Sequence, residues 1–167
     1  PEAAPGFAAS CAARGWWRVL AFWGQGRVKL SHVSLTARDG AALSSFYRRV
    51  FGFVDLRPPR QLSPSVAGRG NGLPGVDIRS VWLGLPDDPG PFLEILEYAT
   101  GPDQGMPAVN APGFGHLAFE VPDLEAARRS VLEAGGRMQG EVVDFGPPGA
   151  PRLIVYVRDP EGNVLEL

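Results

Sequence analysis

The chain contains two histidines, and they head near-copies of one unit. Ser31-His32-Val33-Ser34-Leu35-Thr36-Ala37-Arg38-Asp39 is matched by Gly115-His116-Leu117-Ala118-Phe119-Glu120-Val121-Pro122-Asp123. Both alternate as strands do: His116, Ala118 and Glu120 face one way, Leu117, Phe119 and Val121 the other. Pro122 has no N–H to extend a ladder, and each closing aspartate suits the N-cap of a helix. Placing His32 on His116 sets Asp39 on Asp123 and Gly52 on Gly136. Placing Glu94 on Glu166 sets Gly90 on Gly162 and Asp87 on Asp159. Agreement at both ends of the unit points to an internal duplication of a βαβββ module. The predicted class is therefore α+β: two tandem βαβββ modules forming a curled mixed sheet around a cleft, with helices on the outer face.

The first module is assigned to residues 28–99 and the second to 113–167, together one domain over 28–167. Behind Asp39, Leu43, Phe46, Tyr47, Val50 and Phe51 make the stripe of a helix with one buried face, and Gly52 suits its left-handed end. Behind Asp123, Leu124, Ala127, Val131 and Leu132 repeat the pattern, ended by Gly135 and Gly136. Strands are predicted over 78–85, 92–98, 152–158 and 164–167. Residues 57–75, dense in Pro, Gly and Arg, are expected to form a mobile loop, and 100–112 a linker.

Residues 1–27 have no counterpart in the repeat and are expected to be a poorly ordered extension. Their apolar run Trp16–Trp23 is much shorter than the ~20 residues that span a bilayer, and Arg18 interrupts it. A net charge of −2 without a basic block recommends neither nucleic acid nor an anionic membrane as partner. Cys11 is the single cysteine, which excludes an intramolecular disulfide and a multi-thiolate zinc site. A cytoplasmic protein with a small-molecule substrate is the expectation.

Each module opens on a strand bearing a histidine and closes on a strand bearing a glutamate between apolar neighbours: Leu93-Glu94-Ile95 and Leu165-Glu166-Leu167. A carboxylate in such a strand is costly to bury unless it is paired, protonated or bound to a cation. Modules packed about a pseudo-twofold axis can bring His32, Glu94, His116 and Glu166 to one point. Two imidazoles and two carboxylates without sulfur suit one divalent ion: Zn, Ni, Co, Mn or Fe. The bland alternatives are a surface histidine and a solvent-facing glutamate; equivalence within the duplication weighs against them. Glu97 lies on the opposite face from Glu94, Glu120 shares the face of His116 but lies about two side-chain steps further along, and Glu161 sits in a turn where solvation is expected.

The pattern His32-Val33-Ser34-Leu35, Ser45-Phe46-Tyr47-Arg48-Arg49-Val50-Phe51-Gly52-Phe53, Leu93-Glu94-Ile95-Leu96, Gly115-His116-Leu117-Ala118-Phe119, Asp159-Pro160-Glu161-Gly162-Asn163 and Leu165-Glu166-Leu167 resembles the vicinal oxygen chelate superfamily. That group includes glyoxalase I, methylmalonyl-CoA epimerase, extradiol dioxygenases and the fosfomycin and bleomycin resistance proteins. The resemblance spans about 28–167 and implies paired modules around a metal cleft, with His32, Glu94, His116 and Glu166 on the four ligand positions of glyoxalase I. It further implies a substrate chelated through neighbouring oxygens and a stabilised enediolate, with Glu166 or Glu94 moving the proton.

A glyoxalase-like lyase or isomerase is the leading expectation. An Fe(II) extradiol-type dioxygenase needs only His32, His116 and Glu166, and the chain has no third histidine for the proton transfers such enzymes use. A non-enzymatic antibiotic-binding protein is the third reading, against which all four ligand types stand. For an anionic substrate, Arg57, Arg60, Arg69 and Arg79 are candidates, with surface solvation as the ordinary role of each. A homodimer is expected, as is a short terminal strand, 164–167, that frays unless a metal or partner holds it.

Overall fold

Asp39 both ends the first strand and starts the first helix. In the computed structural model, which describes residues 28–102 and 105–167, its carboxylate accepts the Ala42 N–H at 2.8 Å. The expected N-terminal extension, residues 1–27, lies outside the described residues. All elements described here belong to one compact unit, Ser31–Leu167.

Strand β1 (His32–Ala37) leads into α1 (Gly40–Phe51), whose Leu43, Phe46 and Tyr47 are fully buried. Gly52 closes α1 at φ 73° and donates its N–H to the Arg48 carbonyl. Such a left-handed end favours glycine because a Cβ would crowd the following carbonyl. Then come β2 (Val54–Asp55), β3 (Arg60–Leu62), β4 (Ile78–Gly84) and β5 (Phe92–Tyr98). The order is β1-β5-β4-β2, with β1 parallel to β5 and β4 antiparallel to β5.

The second half comprises β6 (Leu117–Ala118), α2 (Leu124–Glu133), β7 (Arg137–Met138), β8 (Val143–Asp144), β9 (Leu153–Ile154), β10 (Tyr156–Arg158) and β11 (Val164–Glu166). Asp123 caps α2 by accepting the Ala126 N–H at 2.9 Å. Its sheet runs β6-β11-β10-β7, again with the histidine-bearing edge parallel to the glutamate strand. The β8–β9 ribbon stands apart from it. Both halves thus follow one strand plan, and mixed sheets with helices make the expected α+β fold; among the described residues no barrel closes.

Several expectations need correction. Residues 57–75 are not simply a loop: β3 pairs antiparallel with β4, and Pro64–Gly68 forms a π-helical turn. Arg60-Gln61-Leu62 shows no apolar alternation, because this short edge strand is held by its backbone. The terminal strand is likewise secured by the chain itself. Leu165 and Leu167 are buried, and Leu167 exchanges both backbone hydrogen bonds with Val155. The predicted strand 152–158 divides there: Leu153–Ile154 pairs with β8, and Tyr156–Arg158 with β11 and β7.

One apolar core joins the halves. Leu35, Phe46 and Tyr47 belong to the same cluster as Val131, Val157 and Leu165. Phe51 stacks on Phe119 with ring centroids 4.2 Å apart. Two polar ties cross the same boundary. The Tyr47 hydroxyl donates to Asp159 Oδ2 at 3.0 Å, both residues being fully buried. Glu161 accepts the backbone N–H groups of Arg38 and Asp39 at 2.7 and 3.0 Å and pairs with the Arg38 guanidinium at 3.0 Å. Glu161 is therefore a clasp between halves and not the solvated turn residue expected.

Candidate functional site

In both sheets one face packs on the helices and the other bears the polar residues. On β5, Leu93 and Ile95 enter the core, so Glu94 points the other way; on β11, Leu165 and Leu167 do the same for Glu166. Ser34 lies opposite Glu94, and Ala118 opposite Glu166. Each histidine stands two residues before that partner, on the same face, so the register reproduces one arrangement twice.

The structure brings His32 to Glu94 and His116 to Glu166. His32 Nε2 lies 3.6 Å from Glu94 Oε2, and His116 Nε2 lies 3.5 Å from Glu166 Oε2. These separations exceed an ordinary hydrogen bond. They approach the roughly 3.4 Å between two donors of a tetrahedral ion with bonds near 2.1 Å. The imidazoles are about two-fifths exposed, at 41% and 39%, while the carboxylates are mostly covered, at 14% and 20%. Among the described residues no three His, Cys, Asp or Glu side chains are grouped so as to hold one metal ion. The structure thus forms the two pairs but does not bring all four residues to the single point expected from the sequence.

Neutral donors fix each carboxylate. Glu94 Oε1 accepts from the Ser80 hydroxyl at 2.7 Å and the Trp82 indole N–H at 2.9 Å, because β4 places Trp82 directly opposite Glu94. Glu166 Oε2 accepts from the Tyr156 hydroxyl at 2.6 Å, its cross-strand neighbour on β10. That bond, more than burial or the carboxylate's charge, pushes the Tyr156 phenol above its ordinary value and keeps it a donor at neutral pH. These supports are absent from sequence reasoning. Their only signal there is a polar aromatic at the β4 and β10 positions, meaningful once the hairpin register is known.

The ring of His32 stacks on Phe92 at 5.0 Å, Phe92 lies 4.2 Å from Trp82, and the Arg57 guanidinium sits 3.3 Å above the Trp82 ring. In the second half His116 meets Tyr156 edge-on at 5.3 Å. A cavity of about 440 Å³ adjoins both halves, its lining including Val33, Leu56, Phe92, Leu117, Ala118 and Phe119. The decoy carboxylates stay apart: Glu97 accepts the Gly40 N–H at 2.8 Å beneath α1, and Glu120 is exposed.

The model of the Glyoxalase/Bleomycin resistance protein/Dioxygenase superfamily matches residues 29–167. The chain belongs to this superfamily. Among curated proteins, an ethylmalonyl-CoA/methylmalonyl-CoA epimerase of Cereibacter sphaeroides is 28% identical over 141 residues, covering 83% of this chain and 96% of the relative. Among solved structures, a glyoxalase family protein from Bacillus cereus matches with TM-score 0.75 and 22% identity, over 87% of this chain and 95% of that one. A glyoxalase I variant from Zea mays matches with TM-score 0.63 and 20% identity, over 90% of this chain and 48% of that one. At these identities the structural likeness establishes the fold alone. Superfamily membership accords with the duplicated sheets, and members commonly use a divalent metal. Among the described residues no helix is long and apolar enough to cross a membrane.

The donor chemistry of each pair suits such an ion. Within each half the imidazole and carboxylate are spaced as two ligands of one ion would be, and each carboxylate is oriented by a neutral donor, as metal ligands require. His32, Glu94, His116 and Glu166 are the residues that would hold it.

Proposed function

We propose that this glyoxalase-superfamily chain is a metal-dependent isomerase of epimerase type. Its substrate is a small acyl thioester with a second carbonyl or carboxylate oxygen beside the reacting carbon. The observation that carries the reading is the repeated imidazole–carboxylate geometry, one pair from each half. The Cereibacter sphaeroides relative, by its name an epimerase of 2-carboxyacyl thioesters, supports isomerisation over the lyase arm.

When bound by His32, Glu94, His116 and Glu166, a divalent ion supplies Lewis-acid polarisation of a chelated carbonyl. The chain's own groups then handle the proton. Glu94 receives two hydrogen bonds and Glu166 one from the described residues, so Glu166 is the less engaged carboxylate. Glu166 is therefore assigned as the base that lifts the proton from the carbon next to the carbonyl. The C–H electron pair passes toward the carbonyl oxygen as charge develops there. Glu94, carried by the other half and entering the step protonated, gives its proton to the opposite face of the carbon. Exchange with solvent then deprotonates Glu166 and reprotonates Glu94 for the next turnover. The Tyr156 and Trp82 donors hold the two carboxylates in place throughout. The working unit is proposed to be a homodimer in the cytoplasm.

Proton NMR in D2O tests the reaction. With metal-loaded protein and racemic methylmalonyl-CoA, the signal of the proton beside the carbonyl is expected to disappear through exchange, and Glu166→Gln to abolish this. Absence of exchange, with turnover of a methylglyoxal–glutathione mixture instead, overturns the epimerase reading.

A further inference from the structure

The guanidinium of Arg57 has a satisfied face and an unsatisfied edge. Its carbon lies 3.3 Å above the Trp82 ring, while its Nε is buried without a hydrogen-bond partner. Arg48 and Arg128 also have a buried, unpartnered Nε, yet each holds an ion pair through another nitrogen, to Asp55 and Glu125. Arg57 holds no such pair to a described residue. Its position is set by the backbone: Leu56 donates its N–H to the Trp82 carbonyl at 2.9 Å, extending the β2–β4 ladder and carrying Arg57 over the indole.

The same indole connects Arg57 to the site. Trp82 donates to Glu94 and contacts Phe92, which stacks on His32. Guanidinium, indole, phenyl and imidazole form a continuous ladder that ends on two of the proposed ligands. A guanidinium held flat on an aromatic ring keeps its in-plane N–H groups for an acceptor in that plane, and its planar fork matches a carboxylate or phosphate. Holding an arginine in this pose without an acid partner costs desolvation that an incoming anion offsets.

We propose that Arg57 is a specificity-determining residue that receives an anionic oxygen group of the substrate. This rests on the function proposed above and adds the side chain that selects an acidic substrate over a neutral one. The chemistry shared by the two possible sources is an oxyanion with at least two oxygens in one plane: an acyl carboxylate, or a phosphate on the thioester's carrier. Surface solvation, expected for Arg57 from sequence, does not account for a stacked ring and a buried Nε.

Isothermal titration of metal-loaded protein with methylmalonate, which carries carboxylates alone, and with coenzyme A, which carries phosphates alone, separates the sources. Arg57→Gln is expected to weaken binding of at least one probe by roughly tenfold or more, the scale of a charge-assisted contact. Arg57→Lys, which keeps the charge without the planar fork, is expected to recover only part of it. The probe affected names the source. Thermal melts of each variant, matching wild type within a few degrees, show that the fold persists. Unchanged affinity for both probes, or failure of wild type to bind either, overturns the assignment. Arg57-dependent binding without deuterium exchange refutes the epimerase reading alone. Deuterium exchange with Arg57-independent binding refutes this inference alone.

Discussion

Replacing Tyr47 by Phe removes one atom, at the polar tie between the two halves. The Tyr47 hydroxyl donates to Asp159 Oδ2 at 3.0 Å, and neither residue is exposed. Asp159 also accepts from the Asn163 side chain at 2.8 Å and from the backbone of Glu161 and Asn163 at 3.0 and 2.9 Å. Burial pushes the Asp159 carboxyl above its ordinary value of 3.8, and the bonds from Asn163, Tyr47 and Gly162 oppose that rise. A hydrogen bond to a charged acceptor contributes about 1.5–3 kcal/mol and one to a neutral acceptor about 0.5–1.5 kcal/mol. At neutral pH, Tyr47→Phe is thus expected to cost about 1.5–3 kcal/mol. For a domain of this size that is roughly 5–10 °C in Tm.

The pH dependence has a definite sign. Asp159 has a raised folded-state pKa, so the folded protein binds more protons than the unfolded chain between 3.8 and that higher value. Its contribution is fully present below 3.8 and is lost as pH rises through the folded-state pKa. Removing the Tyr47 bond raises that pKa further and enlarges the loss. The cost of Tyr47→Phe should therefore shrink, by about 1 kcal/mol, from pH 7 to below 4, where the lost acceptor is neutral. Urea unfolding followed by circular dichroism at both pH values measures this. Equal destabilisation at the two pH values, or none at pH 7, refutes the tie as described.

Trp82→Phe keeps an aromatic ring but deletes the indole donor to Glu94; metal affinity is expected to fall by about 10–100-fold with the melt little changed, as read by competition with a chelating dye. Gly52→Ala meets no atom within 4 Å, so its expected cost of about 1–2 kcal/mol, measured by thermal unfolding, arises from the left-handed backbone alone. Light scattering is expected to give twice the chain mass; a monomer removes the proposed homodimer.

Elements whose signals are local in sequence were legible there. Asp39, Asp123 and Gly52 act as caps within four residues of their partners, and α1 carries its apolar stripe on the face expected. Strand 92–98 was read with its observed bounds, since alternation around Glu94 survives on a half-buried strand. The pairing of His32 with Glu94 and of His116 with Glu166 was legible because duplication supplied a second, independent copy of each position. What stayed hidden depends on contacts far apart in sequence. Tyr47 reads as an apolar stripe residue until Asp159 is brought to its hydroxyl, 112 positions away. Glu161 looks like any turn carboxylate until Arg38 and Asp39 present two N–H groups to it. Trp82 and Tyr156 become supports of the carboxylates only through strand register, and β3 is held by backbone pairing that leaves no side-chain pattern.

Metal content tests the central claim most directly, namely that two imidazole–carboxylate pairs from opposite halves act as one centre. The measurement compares wild type with His32→Ala, His116→Ala and the double variant after identical metal loading and gel filtration. The expected result is about one divalent ion per chain in wild type and loss of most of it in either single variant, because each histidine completes the same coordination shell. Equal metal content in all four proteins, or an ion retained by each half when the other histidine is removed, contradicts a shared centre.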